Sequence, residues 1–201
     1  MKRILAVGAH YDDIEIGCGG TIIKHAQKRD RIFFGITSSD EQRTGDMKDR
    51  YVEQVLSAGI IGIDRRDIFR FSYNNTIDEV HDIVGQLDYL KPDIVYTQHE
   101  LDTHQDHKRA SIIGQAVGRK RHITTVFYDS GSAYNFQPNV FSMIDFSSKE
   151  KLIKCFKSQI KLGAINIDIV KNKDLYWGSL ISKSINKYAE GFMVRKMKWE
   201  I

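Results

Sequence analysis

Ala9-His10-Tyr11-Asp12-Asp13-Ile14-Glu15-Ile16-Gly17-Cys18-Gly19-Gly20-Thr21 decides the fold through what stands directly before it. Lys2-Arg3-Ile4-Leu5-Ala6-Val7-Gly8 is a short apolar run of the kind that forms a buried strand. An imidazole and two adjacent carboxylates therefore leave the carboxyl end of a first strand, where open α/β sheets place their ligands. Imidazole and carboxylate suit zinc and similar divalent ions, and a cation would offset the repulsion between Asp12 and Asp13. The same residues also make an ordinary polar loop ending in a helix N-cap, so this stretch alone leaves both readings level.

Reading onward, Gly17 to Gly20 supply tight backbone to the loop, and Thr21 to Ala26 continue as a helix. These glycines do not follow G-x-G-x-x-G, and acidic residues stand where a pyrophosphate needs bare amides, which argues against a dinucleotide site. Residues 31–37 read as a second strand, 38–46 as a polar loop at the same sheet edge, and 47–61 as a helix with apolar residues at helical spacing. Arg50 and Glu53 fall on one side of that helix. They make either a weak surface ion pair or, for Arg50, a bidentate grip on a substrate oxygen. A third strand at 67–71, a helix at 77–90 and a fourth strand at 94–97 follow, the last after the turn Lys91-Pro92-Asp93. Short strands alternating with helices give an α/β fold: a Rossmann-like, mainly parallel sheet with helices on both faces.

The fourth strand runs into Gln98-His99-Glu100-Leu101-Asp102-Thr103-His104-Gln105-Asp106-His107-Lys108-Arg109-Ala110. Asp102 or Thr103 can cap a helix here, and His104 and His107, three apart, then share its first turn. A second histidine and aspartate cluster thus lies at the carboxyl end of a second parallel strand, on the same rim as the first. Two such clusters on one rim are the mark of a metal or catalytic site rather than of core histidines.

The 201 residues are expected to form one domain, 1–201, long enough to bury a sizeable core. A hydrophobic share of 41% and a charged share of 28% are ordinary for a globular protein, and no apolar tract is long enough to span a bilayer. The formal charge of +4 is mild, and the basic run Gly118-Arg119-Lys120-Arg121-His122 has no nucleic-acid module around it. It reads as the solvated end of a helix. Cys18 and Cys155 lack CxxC spacing and read as reduced thiols; with no signal-peptide apolar region, the expected location is cytoplasmic.

Taken together, Ala9-His10-Tyr11-Asp12-Asp13, Gly17-Cys18-Gly19-Gly20-Thr21, Arg50 with Glu53, and Asp102 through His107 resemble the PIG-L/LmbE family of zinc-dependent N-acetylglucosamine deacetylases. Tyr128 to Phe136, Lys157-Ser158-Gln159 and Tyr188-Ala189-Glu190-Gly191-Phe192 extend the similarity over nearly the whole chain. The resemblance implies His10, Asp13 and His107 as ligands of Zn2+, with Fe2+ or Co2+ as alternatives. It implies Asp12 as general base, His104 as general acid and Asp106 as the partner that orients His104. Arg50 falls at a substrate-gripping position, and Tyr188 and Glu190 are expected to close over the site. Tyr11 departs from the family's usual proline, which would stiffen the loop.

Two imidazoles and one carboxylate leave a coordination position open, as in catalytic rather than structural zinc sites. The implied substrate is an N-acetylated amino sugar or its conjugate, with no nucleic acid or membrane span involved. A homo-oligomer is compatible with the sequence. An amidase acting on a thiol-sugar conjugate and a non-catalytic sugar- or nucleotide-binding module are the alternatives.

Overall fold

The computed structural model describes residues 1–38, 47–72, 77–184 and 187–195. The polar loop expected at 38–46 falls outside them except for Ser38. The chain begins with β1 (Arg3–Gly8), α1 (Asp13–Gln27), β2 (Arg31–Ile36) and α2 (Met47–Ile61). A short 3-10 turn, β3 (Ile68–Arg70), α3 (Ile77–Tyr89), β4 (Ile94–Gln98), α4 (Gln105–Arg121) and β5 (Thr124–Tyr128) follow. The last part contains β6 (Val140–Ile144), α5 (Phe146–Ile153), α6 (Lys157–Lys161), α7 (Ile167–Ile181) and β7 (Tyr188–Val194).

The strands form one seven-stranded sheet in the order β3-β2-β1-β4-β5-β7-β6. From β3 to β5 the pairs are parallel, whereas β7 runs antiparallel to both β5 and β6. The local apolar runs mark the parallel strands; the late segment adds the antiparallel edge. In β1, Ile4 and Ala6 enter the core on one face, and Leu5 and Val7 enter the core on the other. Burial on both faces is what makes that strand a continuous apolar run rather than an alternating one.

This order places β1 beside β4 while their following connections leave towards opposite sides. Strand order thus reverses between them, and the crevice beyond their carboxyl ends is where such sheets bind ligands. The loops after β1 and β4 are the two that carry the histidine and aspartate clusters.

The glycines after Ile16 are not loop residues. Helix α1 already starts at Asp13, so Gly17, Gly19 and Gly20 lie within it. A β-carbon at Gly17 would sit 2.1 Å from the Tyr128 ring, and one at Gly20 would sit 2.7 Å from Ile144. Their function is close approach of α1 to the sheet, which overrides the poor helix propensity of glycine. At the far end of α4, Lys120 and Arg121 pair with Asp88, and His122 takes the left-handed capping conformation. Cys18 and Cys155 are free thiols. Among the described residues, no helix is long and apolar enough to cross a membrane.

Candidate metal centre

Asp13 is the first residue of α1, and its Oδ2 accepts the His10 backbone N–H at 2.7 Å, folding the loop back on itself. Its carboxylate lies between two imidazoles, with Oδ2 3.3 Å from His10 Nδ1 and Oδ1 3.3 Å from His107 Nε2. One donor atom from each of His10, Asp13 and His107 lies within 4.8 Å of the others, and all three residues are buried. Two imidazoles and a carboxylate at this spacing fit a divalent cation in both size and softness.

His107 reaches this position because Asp102 holds its other nitrogen: Asp102 Oδ2 is 3.0 Å from His107 Nδ1. Asp102 also accepts the His104 backbone N–H at 2.8 Å and the Ser132 hydroxyl at 2.7 Å. A carboxylate behind a ligand histidine fixes the ring and its tautomer, leaving Nε2 as the donor. The sequence offers Asp102 or Thr103 as a helix cap. The cap of α4 is instead His104, whose Nδ1 accepts the Asp106 N–H at 3.2 Å. Asp102, five residues before His107, stands in the motif as a capping residue, and its contact with the His107 ring is what sequence reading does not supply.

His10, His104 and Asp106 form a second close group. In it Asp106 Oδ1 accepts from Arg109 at 2.7 Å, while His104 Nδ1 caps α4. Asp106, expected as the partner of His104, faces two rings. Its Oδ2 is 3.3 Å from His10 Nε2 and 3.9 Å from His104 Nδ1, so it braces the far side of His10. His104 stacks on His107 with ring centres 4.6 Å apart.

Asp12, beside the triad, takes φ 106° and is buried. Burial, reinforced by the neighbouring Asp13 charge, pushes its carboxyl well above the usual range. Burial pushes Asp13 the same way, but the His107 and His10 rings prevail and hold it well below that range. The two adjacent carboxylates thus differ in proton affinity, Asp13 being held ionised while Asp12 binds its proton more tightly.

Arg50 lies on the buried side of α2, where its guanidinium donates to the Tyr11 carbonyl at 3.3 Å and stands 3.8 Å from Asp12 Oδ2. Glu53 is buried as well, so the two do not make a surface ion pair; the Glu53 carboxylate accepts the Ser158 N–H at 2.7 Å and hydroxyl at 2.6 Å. The cleft over these groups has a volume of about 460 Å³; His10, Asp12, Asp13, Arg50, His104 and His107 line it together with Ser130 to Ser132, Gln159, Ile165, Ile169 and Lys173. Tyr188 and Glu190 do not line it. Tyr188 stacks on Phe146 at 5.2 Å, and Glu190 is buried beneath α1, so neither closes over the site in this structure.

Residues 5–117, which carry both clusters, match the family model described as PIG-L: GlcNAc-PI de-N-acetylase. The chain belongs to the PIG-L family. The uncharacterized deacetylase YaiS of Escherichia coli strain K12 is 30% identical over 171 residues, 78% of this chain and 91% of YaiS. Among solved structures, the conserved protein TT1542 from Thermus thermophilus superposes with a TM-score of 0.83 at 22% identity, covering 100% of this chain and 98% of that one. The N,N'-diacetylchitobiose deacetylase from Pyrococcus horikoshii superposes with a TM-score of 0.81 at 20% identity, covering 96% and 84%. These likenesses extend the PIG-L fold beyond residue 117 to the antiparallel edge.

Proposed function

We propose that this PIG-L protein hydrolyses the acetamide of an N-acetylated amino sugar or its conjugate, releasing acetate and the free amine. The observation that carries this reading is the convergence of His10, Asp13 and His107 from two neighbouring strand ends, with Asp12 beside them. His10, Asp13 and His107 would hold the cation, with zinc the first candidate and iron(II) or cobalt(II) the alternatives. A divalent cation bound there supplies Lewis acidity towards a carbonyl oxygen and makes water easier to deprotonate.

The chain's own groups do the rest. Asp12 accepts a proton from the attacking water, and its burial beside Asp13 strengthens its hold on that proton. His104, partly exposed at the cleft, donates a proton to the departing amine nitrogen as the C–N bond breaks. Asp106 and Asp102 keep the His10 and His107 rings in place. Arg50 orients the substrate while steadying the loop that carries Asp12. The deacetylases among the relatives support acetyl as the acyl group removed.

The test is metal analysis of the purified protein together with acetate release from a panel of N-acetylhexosamine conjugates. Asp12→Asn should retain the metal and lose roughly 10²- to 10⁴-fold in turnover. Full activity in that variant, or a protein that binds no divalent metal, would overturn the assignment.

A further inference from the structure

Outside the cleft, three ionisable side chains are buried together where α1, α5, α7 and β7 meet. Lys149, Asp174 and Glu190 are each at most 1% exposed. Lys149 Nζ donates to Asp174 Oδ2 at 2.7 Å and lies 2.9 Å from Glu190 Oε1. Glu190 in turn accepts the Gly20 and Thr21 backbone N–H groups, both at 2.8 Å, and the Thr21 hydroxyl at 2.6 Å.

The ends of this network are what give it meaning. Glu190 takes two successive amides from the middle of α1, the helix that opens with Asp13. Asp174 is on α7, one residue after Lys173, and α7 gives Ile169, Val170 and Lys173 to the cleft. Lys149 therefore joins the helix of a metal-site residue to the helix that forms the opposite wall. Stability alone explains such a cluster poorly, because well-packed apolar residues commonly replace a buried ion pair at no loss. We infer that Lys149, Asp174 and Glu190 are positioning residues: a buried clamp that fixes the separation of α1 and α7, its Glu190 end setting the metal centre and its Asp174 end setting the substrate wall. The kinetic part of this inference rests on the deacetylase reading above; the metal-binding part rests on the His10, Asp13 and His107 site alone.

The two ends can be cut separately. The variants are Glu190→Gln and Asp174→Asn, with Zn2+ affinity read by chelator competition, steady-state kinetics by acetate release, and melting temperature as a control for folding. Coupling through packed networks of this kind is worth about 2- to 30-fold. Glu190→Gln should weaken Zn2+ binding by about that factor. Asp174→Asn should leave Zn2+ affinity within about twofold and raise KM by about 2- to 30-fold, with kcat within about twofold. Should Glu190→Gln fail to fold, Thr21→Val removes one bond to Glu190 while keeping every charge, and Zn2+ affinity should move in the same direction. Variants that lower the melting temperature but leave both Zn2+ affinity and KM unchanged would reduce the cluster to a structural brace and overturn the proposal. If the wild-type protein releases no acetate from any amino sugar, the proposed activity fails, while the Zn2+ measurements still decide the Glu190 end of the clamp.

Discussion

Asp12 is held at φ 106°, a conformation that costs a residue with a β-carbon about 1–3 kcal/mol. The surrounding contacts hold it there: Asp13 grips the His10 amide, Arg50 grips the Tyr11 carbonyl, and the buried Tyr11 ring packs against Tyr51. The second cluster carries two predictions at this scale. His104 both caps α4 and faces the cleft, and asparagine is an equally good cap. His104→Asn should therefore shift stability by less than about 1 kcal/mol, roughly 2–4 °C in melting temperature, while lowering turnover by about 10²- to 10⁴-fold. Asp102→Asn keeps the shape but loses the charge behind His107, and should weaken Zn2+ binding by about 10- to 100-fold in chelator competition.

Among the elements, α1 shows most plainly how packing overrules propensity. Its glycines look like breakers in the sequence, yet they let the helix lie against Tyr128 and Ile144. Gly17→Ala gains up to about 1 kcal/mol of helix propensity but forces a β-carbon into the Tyr128 ring, itself fully buried and fixed by its bond to the Val7 carbonyl. The net should be a loss of about 1–3 kcal/mol, measured by denaturant unfolding. Gly85→Ala in α3 is the control, since nothing lies within 4 Å of the added carbon. It should stabilise by up to about 1 kcal/mol. Opposite signs from one substitution type would separate the two roles of a helical glycine.

For the molecule as a whole, buried charge sets a pH dependence. Burial raises the Asp174 carboxyl to about 6, against the opposing pull of Lys149. A carboxyl that binds its proton more tightly when folded contributes stability that is fully present below its unfolded value, near 4. That contribution is lost as pH rises through about 6, at about 1.4 kcal/mol for each pH step between the two values. The stability of wild type relative to Asp174→Asn should accordingly fall between about pH 4 and 6 and level off above, in denaturant titrations at fixed ionic strength.

The parallel half of the sheet and its helices are legible in the sequence because each strand is a local apolar run and each helix a local period. The two histidine and aspartate clusters are legible because each is contiguous. Several partnerships are not: Glu190, expected at the cleft, lies under α1; Asp106, expected to serve His104, also braces His10; and Asp102, a plausible cap by its position, holds His107. Residue type and spacing in this chain determined which side chains are candidates for the site and at which end of the strands they emerge. Which carboxylate meets which ring was decided by tertiary structure, because such partners are set by strand order and side-chain direction over separations such as the 96 residues between His10 and Asp106, and local pattern carries no record of either.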